Sequence, residues 1–476
     1  MQEHKLLKTM RISTLTVVLL SVFFSVNAQE YKIDFTVNNL QAKEAYLGYH
    51  FGDKQYVKDT AEVNAGKVIF QGEGPLEGGI YFLYTPDGKY FEFLVDEQNF
   101  SLETDTTNFV ENMQVEGSEN NEIFFNYQRF LGSRSKLSKE LSEKMQNVSE
   151  ADKEKITAQL KEINTEVEQY QEKIIKEHSD KLVAKIIKAT KNIDIPEAPE
   201  GMDEQAAKTY QYNYYKQHYF DNIDFSDVRL LRTPILHGKL LEYVDKLTPQ
   251  HPDSIAKSAR YVIDKAKADP EVFRYVLVTY SNKYETSNIM GMENVFVDLA
   301  RRYYLSGQAT WADSTLKANI AKRVMELSPN LVGEKARNFY LIDTTLQNPV
   351  VLYDQPDPYL VVYFYDPECG HCKKTTPVLH EEYVSTLKDK GVEVMAVNIK
   401  NDVKKWKDFI KKHDLSGWIN AADPDYRDNF RAYYNIVTTP RIFVLDKNKE
   451  IIAKGIGVEQ IAEFVDHHKK TKENQP

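Results

Sequence analysis

Between residues 359 and 387 the hydrophobic period of the sequence changes once, and the chain's two cysteines lie at the change. Tyr359–Tyr365 is an unbroken apolar and aromatic run, the pattern of a strand buried on both faces. Asp366, Pro367 and Glu368 then turn the chain. Leu379, Tyr383 and Leu387 follow at four-residue spacing, the stripe of an amphipathic helix. This strand–turn–helix order puts Cys369 at a helix N-terminus, where unpaired N–H groups and the helix macrodipole favour a thiolate. His371, inside the Cys369-Gly370-His371-Cys372 turn, can add positive charge. His371, Gly370 and Glu368 are therefore the candidates for tuning the pair. Cys372, one turn further in, is placed to resolve a mixed disulfide. Pro377 falls inside the helical pattern and predicts a kink.

Two cysteines, two residues apart in a chain of 476, read as chemistry rather than as a staple. The benefit of a crosslink grows with the loop it closes, and this ring constrains little. Strained, exposed disulfides are the labile, catalytic kind. A tetrahedral metal site would need two more ligands, and no second cysteine pair exists. No metal and no other cofactor is expected. His380, His413, His467 and His468 read as solvated helix residues rather than ligands.

The chain start predicts export. Lys5, Lys8 and Arg11 form a basic segment, residues 12–26 are mostly apolar, and Val26-Asn27-Ala28 fits the small-residue cleavage pattern. Residues 1–28 thus read as a signal peptide, since the apolar run is short beside the ~20 residues of a membrane-spanning helix. They hold three basic residues and one acid, so their removal takes the net charge from −10 to −12. That balance argues against nucleic acid or anionic lipid as a partner.

Three regions follow. Residues 29–116 read as a β-sandwich or barrel-like antiparallel domain. Tyr31, Ile33, Phe35 and Val37 alternate with polar residues, short runs recur at 45–49, 67–70 and 80–84, and Thr85-Pro86-Asp87-Gly88 marks a turn before Tyr90–Val95. Residues 117–330 read as helical. There Ile156, Leu160, Ile163, Val167, Tyr170 and Ile174 alternate spacings of four and three, the seam of a helical hairpin or short coiled coil. Pairing of that seam between chains would make a homodimer. Tyr210, Tyr212, Tyr214, Tyr215, Tyr219 and Phe220 read first as helix packing and second as a peptide-contact surface. Asn147-Val148-Ser149 is a weak glycosylation match. Residues 331–476 alternate strand and helix patterns, with one hairpin around Asp446-Lys447-Asn448-Lys449, and predict an α/β sheet covered on both faces. The whole is expected to be a multidomain α+β chain.

The stretch "VVYFYDPECGHCKKTTP" resembles the strand, active-site turn and kinked helix of the thioredoxin superfamily. Downstream, "NIVTTPRIFVLDKNKEIIAKG" resembles its cis-proline segment and following hairpin. Upstream, "VGEKARNFYLIDTTLQNPVVLYD" resembles the N-terminal hairpin of the TlpA/ResA-type exported thiol-disulfide oxidoreductases. Residues 29–116 resemble the β-domain that precedes such domains in Bacteroidota-like multidomain proteins. The resemblance spans about residues 331–470. It implies a cis Thr439-Pro440 bond facing the cysteines and a substrate strand docking on Thr439 and Pro440. Two positions depart from the family. Thioredoxin's buried acid, six residues before its first cysteine, is here Tyr363. The ResA-type Glu, three residues after the second cysteine, is here Thr375. The proton acceptor for Cys372 is thereby left unassigned, with Asp366 and Glu368 the nearest acids in sequence. A peroxidatic cysteine would want Thr where Asp366 stands.

The expected function is a periplasmic thiol-disulfide oxidoreductase, of reductase or isomerase type. Cys369 attacks, Cys372 resolves, and Thr439 and Pro440 bind substrate. Its partners would be exported protein thiols and disulfides and, as the resemblance implies, a membrane-embedded thiol electron carrier. The rival reading is a binding or sensing protein whose upstream domains carry the function, with the redox domain accessory to them.

Overall fold

The computed structural model describes residues 30–146 and 148–473. The signal peptide expected at 1–28 and Asn147 of the sequon lie outside the described residues. Two compact units divide between Ala184 and Lys185.

The first unit begins with β1 (Tyr31–Asn38), β2 (Glu44–Phe51), β3 (Lys54–Glu62), β4 (Lys67–Gly72), β5 (Gly79–Tyr84), β6 (Tyr90–Val95), β7 (Asn99–Asp105) and β8 (Gln114–Glu116). They form two four-stranded sheets, in the orders β4-β1-β7-β8 and β3-β2-β5-β6. Pairing is antiparallel except between β1 and β7, which run parallel. The alternating residues Tyr31, Ile33, Phe35 and Val37 all turn into one core shared by both sheets. Phe35 is its hub, with edge-to-face contacts to the rings of Phe70, Phe91 and Phe93 at 5.9, 6.0 and 5.2 Å. Strand β3 lies at a sheet edge with most of its side chains exposed, which is why its sequence is polar on both faces.

Helices α1 (Glu119–Met145) and α2 (Glu150–Glu177) form a hairpin, each opened by a serine cap: Ser118 accepts from the Asn121 N–H and Ser149 from the Asp152 N–H. Ile156 and Ile163 of α2 bury against Leu141 of α1, and the Tyr170 ring packs 4.5 Å from Phe130. The apolar seam of α2 thus has its partner within the chain.

Helices α3 (Leu182–Thr190), α4 (Glu204–His218), α5 (Pro234–Asp245), α6 (Pro252–Ala266), α7 (Pro270–Glu285), α8 (Glu293–Leu299) and α9 (Ser314–Leu327) follow. Three of them start on a proline directly after a capping side chain, Thr233, His251 or Asp269. Proline lacks the N–H that would be unpaired there anyway. The tyrosine-rich stretch packs helices together. Tyr219 and Phe220 are buried against Tyr243, and the Tyr212 hydroxyl donates to Leu247 O at 2.9 Å.

The chain then lays down β9 (Tyr340–Ile342), β10 (Pro349–Val351), β11 (Tyr359–Tyr365), α10 (Gly370–Glu382), β12 (Val392–Asn398), α11 (Val403–Lys412), β13 (Ile419–Ala422), α12 (Phe430–Tyr433), β14 (Arg441–Asp446), β15 (Ile451–Lys454) and α13 (Ile461–Glu473). The sheet order is β10-β9-β13-β12-β11-β14-β15. Strand β11 runs parallel to β12 and antiparallel to β14, and all of its residues are buried. Because strand side chains alternate faces, Val361, Tyr363 and Tyr365 enter one core and Leu360, Val362 and Phe364 the other.

The helices α4–α9 and this α/β sheet belong to one compact unit. Lys454, at the end of β15, carries the main joint. Its ammonium lies 2.5 Å from Glu293 of α8 and also bonds the Asn330 carbonyl. Its N–H donates to the Met290 sulfur at 3.2 Å. Asn294 donates to Val332 O at 2.8 Å and Asn330 to Tyr433 O at 2.7 Å. Both charged partners are largely buried, at 12% and 15% exposed. Removing one partner of a buried pair strands the other charge, at about 3 kcal/mol or more. Glu293→Gln should therefore lower the urea unfolding free energy by roughly 3 kcal/mol. Adding Lys454→Met to Glu293→Gln should recover part of that loss, because no unpaired charge is then left.

Candidate active site

Strand β11 ends at Tyr365, and the next three residues form a tight turn. Asp366 accepts the Glu368 N–H at 2.8 Å through its carboxylate and the Cys369 N–H at 3.1 Å through its carbonyl. That turn sets Cys369 at the N-cap position of α10, and Cys372 lies one turn in. Cys369 is partly exposed, Cys372 is fully buried, and both are free thiols.

The cis Thr439–Pro440 bond precedes β14. The Cys369 thiol donates to the Thr439 carbonyl at 3.3 Å. Thr439 therefore sits against the sulfur, with Pro440 next to it in the chain.

The two thiols are driven apart in acidity. Burial alone would raise Cys369. The Cys372 N–H, the Thr439 side chain, the Cys372 thiol and the His371 N–H outweigh it and hold Cys369 below the ordinary thiol value. Burial pushes Cys372 up to about 11, and the neighbouring Cys369 adds to the rise. At neutral pH the site thus offers one ionisable, accessible sulfur and one protonated, shielded sulfur.

The three tuning candidates differ in what reaches the cysteines. His371 is exposed, and its backbone N–H is what bears on Cys369. A Cβ built on Gly370 would meet nothing within 4 Å, so the glycine is not required for space. Glu368 gives its carboxylate to Lys405 of α11 at 2.8 Å. Asp366 is committed to the Glu368 N–H and lies 3.5 Å from Lys400. Each of the two nearest acids in sequence is thus already engaged with a lysine.

Behind Cys372 the core is built of polar aromatics. Tyr363, Tyr365, Trp406 and Trp418 share its cluster, with the Tyr363 and Tyr365 rings stacked at 5.5 Å. Tyr363, at the position of thioredoxin's acid, bonds Thr376 at 2.9 Å. Burial holds both tyrosines well above their ordinary value, so neither is a base near neutral pH. Thr376 was missed from sequence, although it lies four residues after Cys372 and so on the same buried helix face. Pro377 sits inside α10 as expected. Three of the expected solvated histidines are instead half-buried packing residues, and His380 lies 5.9 Å from the Trp418 ring. His413 lies 4.4 Å from the Phe409 ring, and His468 bonds the Tyr359 hydroxyl at 3.1 Å.

A family model described as thioredoxin-like matches residues 357–451. A thiol-disulfide oxidoreductase ResA from Bacillus cereus is 28% identical over 126 residues, covering 26% of this chain and 70% of the relative. The chain contains a thioredoxin-like domain. Its thioredoxin-like region is also similar to a solved domain of a possible thiol-disulfide isomerase from Cytophaga hutchinsonii. That structure is 38% identical, with 31% of this chain and 99% of that one covered and a TM-score of 0.30. A thioredoxin-like protein from Bacteroides caccae is 22% identical over 58% of this chain and 99% of its own, with a TM-score of 0.42. Two further family models, each described as a domain of unknown function, match residues 31–124 and 142–330.

The split in acidity has a direct readout in this thioredoxin-like site. In Cys372→Ser, the rate of alkylation by iodoacetamide should rise with a midpoint below the ~8.5 of a free thiol. In Cys369→Ser, alkylation should be far slower at pH 7 and should rise only toward pH 11, where the buried thiol ionises. Equal rates in the two variants at pH 7 would contradict the assignment of the environments.

Proposed function

We propose that the protein is an extracytoplasmic thiol-disulfide oxidoreductase acting on protein substrates through Cys369 and Cys372. The observation that carries this reading is the asymmetry of the two sulfurs, one accessible with lowered pKa against Thr439 and one buried with raised pKa. The Cys369 thiolate attacks a substrate disulfide. One sulfur–sulfur bond breaks, one forms, and the departing thiolate takes a proton. Cys372 then loses its proton and attacks Cys369 in the mixed disulfide. The substrate's second thiolate leaves, and the pair is oxidised by the two electrons passed on. Run backwards, the same steps oxidise a substrate dithiol.

Thr439 and Pro440 offer a backbone edge for an extended substrate strand. Electrons come from a second protein thiol, and the exported setting points to a carrier in the membrane. The export reading rests on the basic and apolar segments of residues 1–28. The His371 N–H and the other donors at Cys369 stabilise the thiolate, and so the reduced pair, which makes the pair more oxidising and suits an isomerase, whereas the reductase reading rests on the resemblance to ResA-type proteins.

Two experiments bear on this. Cys372→Ser should accumulate mixed disulfides with exported proteins, seen as thiol-sensitive adducts on non-reducing gels, and Cys369→Ser should not; the reverse pattern would exchange the two roles. His371→Pro removes both a backbone N–H and a potential cation beside Cys369. The pair's reduction potential, measured against glutathione, should fall by tens of millivolts, where ~30 mV is ~1.4 kcal/mol for two electrons. An unchanged or higher potential would take His371 out of the mechanism.

A further inference from the structure

Cys372 has to become an anion inside a core before it can close the disulfide, and burial opposes that anion. The same core holds a pair of buried hydroxyls. The Tyr363 and Thr376 oxygens lie 2.9 Å apart, and both residues are as fully buried as Cys372. Tyr363 comes from the face of β11 that shares a cluster with Cys372, and Thr376 lies one turn after Cys372 along α10.

Two hydroxyls carry two hydrogens, and the contact between them uses one. Among the described residues neither oxygen has another hydrogen-bond partner, so one hydrogen of the pair meets no protein acceptor. A threonine inside a helix often bonds the carbonyl four residues back, which here belongs to Cys372. Thr376 turns its hydroxyl to the strand instead. Neither member is a base. Burial holds Tyr363 neutral, and charge on Cys372 opposes its ionisation further, ahead of charge on Cys369. The remaining tyrosine on this face of β11, Tyr365, is directed to a different helix. Its ring packs 5.0 Å from Phe409 and its oxygen lies toward the Trp406 indole, both on α11.

We infer that the Tyr363–Thr376 hydroxyl pair donates its second hydrogen to the Cys372 sulfur as charge develops there during resolution. The inference rests on the exchange reading of Cys369 and Cys372 and adds the groups that serve its second step. In that step the Cys372 S–H bond breaks, and its proton goes to the substrate sulfur set free by the first attack. The Cys372 sulfur bonds Cys369, the bond from Cys369 to the substrate breaks, and the second substrate sulfur leaves as a thiolate. The pair keeps both of its protons throughout. One O–H turns to the sulfur while the other continues to bond its partner. A hydrogen bond to a charged acceptor is stronger than one to a neutral acceptor, so the donor favours the thiolate over the thiol. The first step is served by other groups. Cys369 is held down by the Cys372 N–H, the Thr439 side chain, the Cys372 thiol and the His371 N–H.

The test uses pre-reduced full-length protein in single turnover with a short peptide whose one cysteine is disulfide-bonded to glutathione. Samples are quenched with acid and read by intact mass. Growth of the mixed disulfide reports attack, and its conversion to the oxidised pair reports resolution. The double variant Tyr363→Phe with Thr376→Val removes both hydroxyls at nearly constant shape, so it strands no buried polar group and should fold. In it, resolution should slow about tenfold, a difference of ~1.4 kcal/mol, while attack keeps its rate and the mixed disulfide accumulates. The pH profile of resolution should move up by about one unit, the shift that matches tenfold. Thr376→Val alone should slow resolution less, because one donor remains, and Thr376→Ser should keep the unmodified rate. That contrast carries the test should the double variant not fold. Unchanged resolution, or attack and resolution slowed alike, would overturn the proposal while leaving disulfide exchange standing. A larger loss in Tyr365→Phe than in the double variant would give the role to the other hydroxyl and overturn it as well. Absence of both mixed disulfide and oxidised pair in the unmodified protein would instead remove the exchange reading and this inference with it.

Discussion

Strand β11 must be buried on both faces, and the site depends on that requirement. A strand of seven apolar and aromatic residues can be satisfied only between two layers, with a hydrogen-bonding neighbour on each side. Strands β12 and β14 supply the neighbours, and two separate cores supply the layers. Once the strand is fixed, its last residue sets where the turn at Asp366 begins and where α10 starts. The position of Cys369 relative to Thr439 follows from the pairing of β11 with β14, because the two residues lie just beyond facing ends of those strands.

The chemistry of the pair comes from how differently one short turn treats its two sulfurs. Cys369 gains N–H donors at the open end of α10, whereas Cys372 is carried by the same helix into a core of Tyr363, Tyr365, Trp406 and Trp418. Those side chains bring polar atoms to the core but no group that is a base near neutral pH. The Tyr363–Thr376 hydroxyl pair occupies the region where thioredoxin keeps an acid. Deprotonation of Cys372 during resolution thus has to draw on solvent or on the departing substrate thiolate rather than on a resident carboxylate at position 363.

Much of this was legible in the sequence because the strongest local signals coincide with the site. The period switch after Tyr365 and the position of Cys369 at the helix start were readable from adjacent residues, and the cis Thr439–Pro440 bond followed from the family resemblance. The alternation of Tyr31 to Val37 identified a β-sandwich strand for the same reason. Strand β3 was not readable, because an exposed edge imposes no hydrophobic period. The parallel pairing of β1 with β7 is a long-range choice that neither strand encodes alone. The commitment of Glu368 to Lys405 depends on a residue 37 positions away. His380, His413 and His468 misled because a helix position says nothing about which neighbouring ring will cover it.

The Lys454–Glu293 joint gives the helical region matched by a family of unknown function a mechanical meaning. Lys454 is the last residue of β15, and the next residues form one wall of a groove beside Pro440. That wall is anchored to α8 through the buried Lys454–Glu293 pair, and to its flanking segments through the Met290 sulfur and the Asn330 carbonyl. Loss of order in α8 would uncover the ammonium and release the loop in the same event. Local opening of α8 and loosening of that loop would then be coupled through Lys454.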